Sequence, residues 1–238
     1  MTSEIILGAI HIKVVRKDIK NVHLSVYPPT GRVHISAPSN MELDKIRLFA
    51  ISKLGWIKEQ QKKIQNQERE TRREYIDRES HYLWGERYLL TNVQTQETPR
   101  VELKHKQLLL YTRPGSDIEK RKSIMAAWYR EQVRALASDF VQKWEPVIGV
   151  KVQQLYVQQM RTKWGSCRTA LGHIRLNTEL AKKPKECLEY IVVHEMVHLL
   201  EPHHNKRFIL FMNKFFLHWL QRRNELNRAP LSHVDWAY

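Results

Sequence analysis

Ile191-Val-Val-His-Glu-Met-Val-His-Leu-Leu-Glu-Pro-His-His204 is the stretch that decides how this chain is read. Its apolar run predicts a helix. On a helix His194 and His198 stand four residues apart, so their imidazoles leave one face a turn apart and can close on a single metal ion. Glu195 follows the first histidine directly. A carboxylate there is badly placed to be a third ligand of the same ion, but it can lean over the metal and take a proton from bound water. Pro202 is expected to end the helix, after which a short turn swings another histidine back. His203 competes with His204 for that place, and the spacing His-Glu-x-x-His-x-x-x-x-x-His favours His204. The fourth coordination position then stays open, as in a catalytic zinc site; a structural site is usually closed by four protein ligands, commonly with thiolates. The bland alternative is a helix with histidines on its solvated face. The apolar back of Leu188, Ile191, Val192 and Leu199 speaks for a helix packed on a core instead.

Just before this helix the residues alternate. Val150, Val152, Leu155 and Val157 read as a strand, and His173-Ile-Arg-Leu-Asn177 as another, with the loop Met160 to Arg168 and a turn at Ala170-Leu-Gly172 between them. Pro184 helps to start the metal helix. After it, Phe208, Phe211, Met212, Phe215, Phe216, Trp219 and Leu220 recur with helical period, as expected for core packed on the metal helix. Ser116 and Glu119 are expected to cap a long helix through Met125, Trp128, Val133, Leu136, Phe140 and Trp144, closed by Pro146 and Gly149.

The first third is strand-rich. Val22, Leu24 and Val26, then the Pro28-Pro29-Thr30-Gly31 turn, then Val33, Ile35 and Ala37 read as a β-hairpin, with Ile5 to Val15 a further strand. Ser39 and Glu42 form a plausible capping box for a helix with Ile46, Phe49, Ala50, Leu54, Ile57 and Ile64 on its inner face. The charged run Asn66 to Arg73 reads as an exposed extension or linker. Beyond it, Trp84-Gly85-Glu86 reads as a turn, and Tyr88–Val93, Val101–Lys104 and Leu108–Tyr111 as a small antiparallel meander. No internal repeat is visible. The expected division is a β-rich region with an inserted helix over residues 1–115 and a metal-binding catalytic domain over 116–238.

Bulk composition narrows the classes. The 238 residues can bury a real core, and no apolar run approaches a membrane span. The start, Met1-Thr-Ser-Glu-Ile5, lacks the basic flank and hydrophobic stretch of a signal peptide, and two cysteines are too few for a disulfide framework; both lead to the expectation of a reducing cytoplasm. Lys plus Arg outnumber Asp plus Glu by 40 to 25, a net charge of +15 that draws polyanions and can steer acidic substrates. Nucleic acid is therefore a possible partner, although no recognised reading module accompanies the charge.

Arg161-Thr-Lys-Trp-Gly-Ser-Cys167, Ile174-Arg-Leu-Asn177, His194-Glu-Met-Val-His198 and His204-Asn-Lys-Arg-Phe208 together resemble the YgjP-like metal-dependent hydrolase family, a group related to WLM and SprT-like zincin metallopeptidases. The resemblance is strongest over residues 150 to 220 and extends more loosely over most of the chain. It implies an α+β fold: a zincin-like metallopeptidase domain whose small twisted sheet sets an edge strand alongside the metal helix, preceded by a β-rich portion. It also implies His194, His198 and His204 as ligands and Glu195 as the catalytic carboxylate. His203 and Ile209 depart from residues common in the family, which blurs the substrate but leaves the ligand pattern intact.

The expectation is a zinc-dependent hydrolase acting on a peptide or protein. Arg161, Lys163, His173, Asn177 and Tyr190 are candidates to stabilise the oxyanion. The stretch Trp164 to Cys167 can pair with an extended peptide by strand addition, or simply support the helix. Cys167 can cap the metal as an inhibitory thiolate or be a buried structural thiol. Two other readings stand beside this one: a non-peptide amidohydrolase, and a basic nucleic-acid-associated protein with DNA-linked proteolysis or a structural metal.

Overall fold

The structure is a computed structural model that describes residues 2–27, 30–66, 73–160 and 163–228. It is an α+β chain whose compact units divide between residues 69 and 70.

In the first unit β1 (Thr2–Leu7) and β2 (Ile10–Lys17) form a hairpin, and β3 (His23–Tyr27) and β4 (Arg32–Pro38) form another. The sheet order is β1-β2-β4-β3, with β2 and β4 parallel. The single strand expected over Ile5 to Val15 is thus two strands, because Gly8 turns the chain at φ 62°. Two helices follow, α1 (Leu43–Ser52) and α2 (Leu54–Asn66), where one was expected. Glu42 is the N-cap residue of α1 and makes no side-chain cap, so the capping box with Ser39 does not form. Ile46, Ala50 and Ile57 bury themselves on Ile12, Val14, Val33 and Ile35, a closed core of this unit's own.

The second unit opens with β5 (Ser80–Leu83), β6 (Glu86–Gln94), β7 (Arg100–Lys104) and β8 (Gln107–Thr112). Trp84 and Gly85 make the expected turn with both φ values positive, 52° and 84°, the geometry of a two-residue hairpin whose twist matches its strands. The order is β5-β6-β8-β7 with β6 and β8 parallel, so these strands are not a meander. They repeat the order and strand senses of the first sheet, an internal repeat of topology.

Helix α3 (Ile118–Ile148) is capped by Asp117, whose carboxylate accepts from Lys120 N at 2.7 Å, and stops at Gly149 with φ 78°. Ser116 instead donates to the Arg113 carbonyl. Met125, Tyr129, Val133, Ala137 and Val141 face inward at four-residue spacing. They share one core with Leu83, Leu90, Leu108 and Leu110 of the second sheet. That shared core is why the compact units divide well before the 115/116 boundary expected from the sequence.

Next come β9 (Gln154–Gln158), β10 (Gly165–Arg168) and β11 (His173–Asn177), ordered β10-β11-β9 with β10 at the edge. Helix α4 (Lys185–Val197) follows Pro184. Leu188, Val192, Val193, Met196 and Val197 have no exposed surface, and each such side chain contributes about 1.5–3 kcal/mol. The aromatic stripe beyond falls on two helices, α5 (Lys206–Phe215) and α6 (Trp219–Arg228). No helix among the described residues is long and apolar enough to cross a membrane.

Candidate metal centre and active site

Helix α4 ends at Val197, with His198 as its still-helical C-cap residue (φ −61°, ψ −21°). His194 and His198 therefore share a face as expected, but the helix stops before Pro202. Tight turns close it, with Leu199 N on Met196 O and Leu200 N on Val197 O, both at 3.0 Å. Asn205 then accepts from Phe208 N at 3.1 Å and starts α5 directly behind His204, which fixes where that imidazole emerges.

The three rings converge. The ligand nitrogens of His194, His198 and His204 lie within 4.8 Å of one another. His204 Nε2 is 3.0 Å from His194 Nε2. Nitrogens bound to one tetrahedral zinc at about 2.0–2.1 Å stand about 3.3 Å apart, so the donor set fits such an ion after small adjustments. His198 Nδ1 is 3.1 Å from Glu201 O; an N–H donated there leaves Nε2 as the free lone pair. His194 Nδ1 is buried without a hydrogen-bond partner, so on that side packing orients the ring. Burial, then the neighbouring rings and Arg223, pushes the pKa of His194 down to about 3. Burial also lowers those of His198 and His204. All three rings are thereby kept neutral, the form that binds metal.

Phe208, expected as core packed on the metal helix, lies against the three histidines. Its ring centroid lies 4.9 Å from that of His194 and 4.7 Å from those of His198 and His204. One buried phenyl ring thus touches all three imidazoles. Its place in the segment His204-Asn-Lys-Arg-Phe208, one helical turn after the third histidine, was the available signal.

Glu195 is 5% exposed, and burial pushes its carboxyl up to about 8, opposed by Lys163. A cation among the histidines acts in the other direction. Among the elements that pack on α4 is the edge strand β10. Gly165 approaches so closely that a Cβ there would lie 2.6 Å from Glu195 Oε1 and 2.9 Å from Ile191 Cγ2.

The other candidates separate. Asn177 is 5% exposed and spends its carboxamide on the chain: Nδ2 donates to Met160 O and Lys163 O, both at 2.9 Å, and Oδ1 accepts from Met160 N at 3.3 Å and Glu179 N at 3.2 Å. It is a staple and has no N–H left for an oxyanion. His173 pairs with Arg168 while Leu176 pairs with Gly165, which puts His173 about 10 Å along the strand from the contact with Glu195. Lys163 is exposed beside the site. Tyr190 meets the His194 ring edge-on at 5.8 Å, and burial pushes its hydroxyl up to about 12, so it stays a neutral phenol. Arg161 lies outside the described residues. Cys167 is outside the histidine cluster, and burial with Glu195 nearby pushes its thiol up to about 11, against a metal-capping thiolate. His203 is outside the cluster too; its backbone N–H donates to Glu201 Oε1 at 3.3 Å.

A family model described as YgjP-like, metallopeptidase domain matches residues 20–229. No curated protein matches the chain. Among solved structures the chain is similar to the metallopeptidase zymogen abylysin of Pyrococcus abyssi, at 17% identity over 38% of this chain and 90% of that one, with a TM-score of 0.35. It is similar to the zymogen jannalysin of Methanocaldococcus jannaschii at 19% identity over 38% of this chain and 92% of that one, also at 0.35.

Proposed function

The chain belongs to the YgjP-like metallopeptidase family, and from that premise we propose that it is a zinc-dependent peptidase in which His194, His198 and His204 hold the metal and Glu195 is the general base. The observation that supports this most is the convergence of three neutral imidazoles within 4.8 Å beside a buried carboxylate. Zinc held there would supply a Lewis acid that acidifies water and polarises the scissile carbonyl. Glu195 takes the water's proton and hands it to the leaving amine. Gly165 seals one side of that carboxylate against solvent, and an extended peptide pairs with the edge strand β10.

The residues in these roles lie within 116–238, the segment we assign as catalytic. The two free thiols suit a reducing cytoplasm, where we place the protein.

Metal analysis of the purified protein beside Glu195→Gln tests the reading. Expected is about one zinc per chain in both, with cleavage of a broad peptide library lost only in the variant. A variant that cleaves as well as the parent removes Glu195 from its role. Metal-dependent hydrolysis of non-peptide amides alone would favour an amidohydrolase.

A further inference from the structure

The charges beside the candidate site are one-sided. Lys163 arrives from the strand side. Asn177 holds it there, with its Nδ2 on the Lys163 carbonyl and its backbone N–H on the Trp164 carbonyl, both at 2.9 Å. The next residue is Gly165, which presses on Glu195. Arg223 arrives from α6, which packs on α4. Its guanidinium carbon lies 5.9 Å from the centre of the Trp219 ring, and the indole N–H of Trp219 donates to Asn213 Oδ1 at 2.8 Å. Just before Trp219, Phe216 rests on Tyr190 at 6.4 Å, and Tyr190 meets His194. The positive charge of Lys163 is felt at Glu195, and that of Arg223 at His194, His204 and Tyr190.

Both side chains are exposed, and among the described residues neither is ion-paired with a carboxylate. Of the carboxylates near the histidines, Glu195 is the proposed base, and Glu201 is 8% exposed with Oε1 turned to the backbone of His203. Neither can neutralise the two cations. A peptide lying on this site therefore meets positive charge from two elements, and among the described residues neither Glu195 nor Glu201 is free to balance it.

We infer, resting on the peptidase reading above, that the site selects peptides carrying acidic side chains beside the scissile bond, and that Lys163 and Arg223 make the selection. An exposed cation changes kcat/KM only a few-fold, and more where bound substrate shields it from water. The chain's net charge of +15 adds salt-sensitive steering of the same sign.

The test uses the zinc-loaded protein on a mixed peptide library, with cleavage sites read by mass spectrometry. Matched peptides bearing Glu, Gln or Lys at the selected position follow. Expected are enrichment of Asp and Glu, a Glu-to-Gln ratio of kcat/KM that falls roughly tenfold in K163Q/R223Q, and a shift towards Lys in K163E/R223E. Zinc content, measured in each, shows that the site is intact. A library profile without acidic enrichment, or a ratio kept in K163Q/R223Q, overturns the inference while the peptidase reading stands. If the zinc-loaded parent cleaves no peptide at all, the peptidase reading fails and this inference falls with it.

Discussion

Gly165 on strand β10 and Glu195 on helix α4 are packed so closely that no side chain fits between them: a Cβ on Gly165 would lie 2.6 Å from the Glu195 carboxylate oxygen and 2.9 Å from its Cγ. A glycine is required there by the neighbouring helix and not by its own backbone angles. The smallest possible insertion therefore displaces the carboxylate. Gly165→Ala is expected to keep its zinc and lose roughly 100-fold in kcat/KM, the scale of a misplacement of about 1 Å. Wild-type turnover in that variant would show that Glu195 does not need this wall.

Phe208 is expected to matter to metal rather than to chemistry alone. It is 2% exposed and in contact with all three imidazoles. Phe208→Leu leaves a gap beside rings that have few polar restraints. Competition with a chelator of known affinity should show zinc binding weakened about 10–100-fold, as when other supports of ligand histidines are removed. An unchanged zinc affinity would mean that the histidines hold one another in place.

Asn177 bears on stability. Its amide makes four hydrogen bonds in a buried place, and truncation orphans their partners. Asn177→Ala should cost roughly 2–4 kcal/mol, read as a lower urea midpoint. A midpoint equal to the parent's would contradict the staple.

His81 sets a pH dependence. It is 3% exposed, its Nε2 is 2.8 Å from Glu79 Oε2, and burial holds its pKa below 6.5 despite that partner. In the unfolded chain a histidine titrates near 6.5. Below that value the unfolded state binds a proton that the folded state resists. The contribution of neutral His81 is thus complete above about pH 6.5 and is lost as pH falls through the folded value. Urea midpoints between pH 7.5 and 5 should fall less steeply in His81→Gln than in the parent. Parallel slopes would remove His81 from the acid response.

Much of the candidate site was legible because it is local. His194, Glu195 and His198 sit within five residues, and helical period alone puts both imidazoles on one face. The α+β character was legible from alternation around Val33 and Leu108 and helical period around Met125. Strand order was not, since nothing local tells β6 to lie parallel with β8 instead of beside β7. For the same reason the first sheet's likeness to the second is not visible in the sequence: the two share pairings, not residues. Phe208 and Gly165 were hidden differently. A phenylalanine in an apolar stripe and a glycine before a serine look ordinary until the contact each makes in space is known.

The edge strand Gly165–Arg168 is only four residues long. A chain laid against it finds about 13 Å of backbone edge that pairs with no other strand among the described residues, room for a short straightened segment and nothing more. A helix presented intact cannot lie there, because its amides are already turned inward upon themselves. Loops, frayed ends and unravelled chains meet the requirement, which would make the foldedness of a target, as much as its composition, decide whether it is cut.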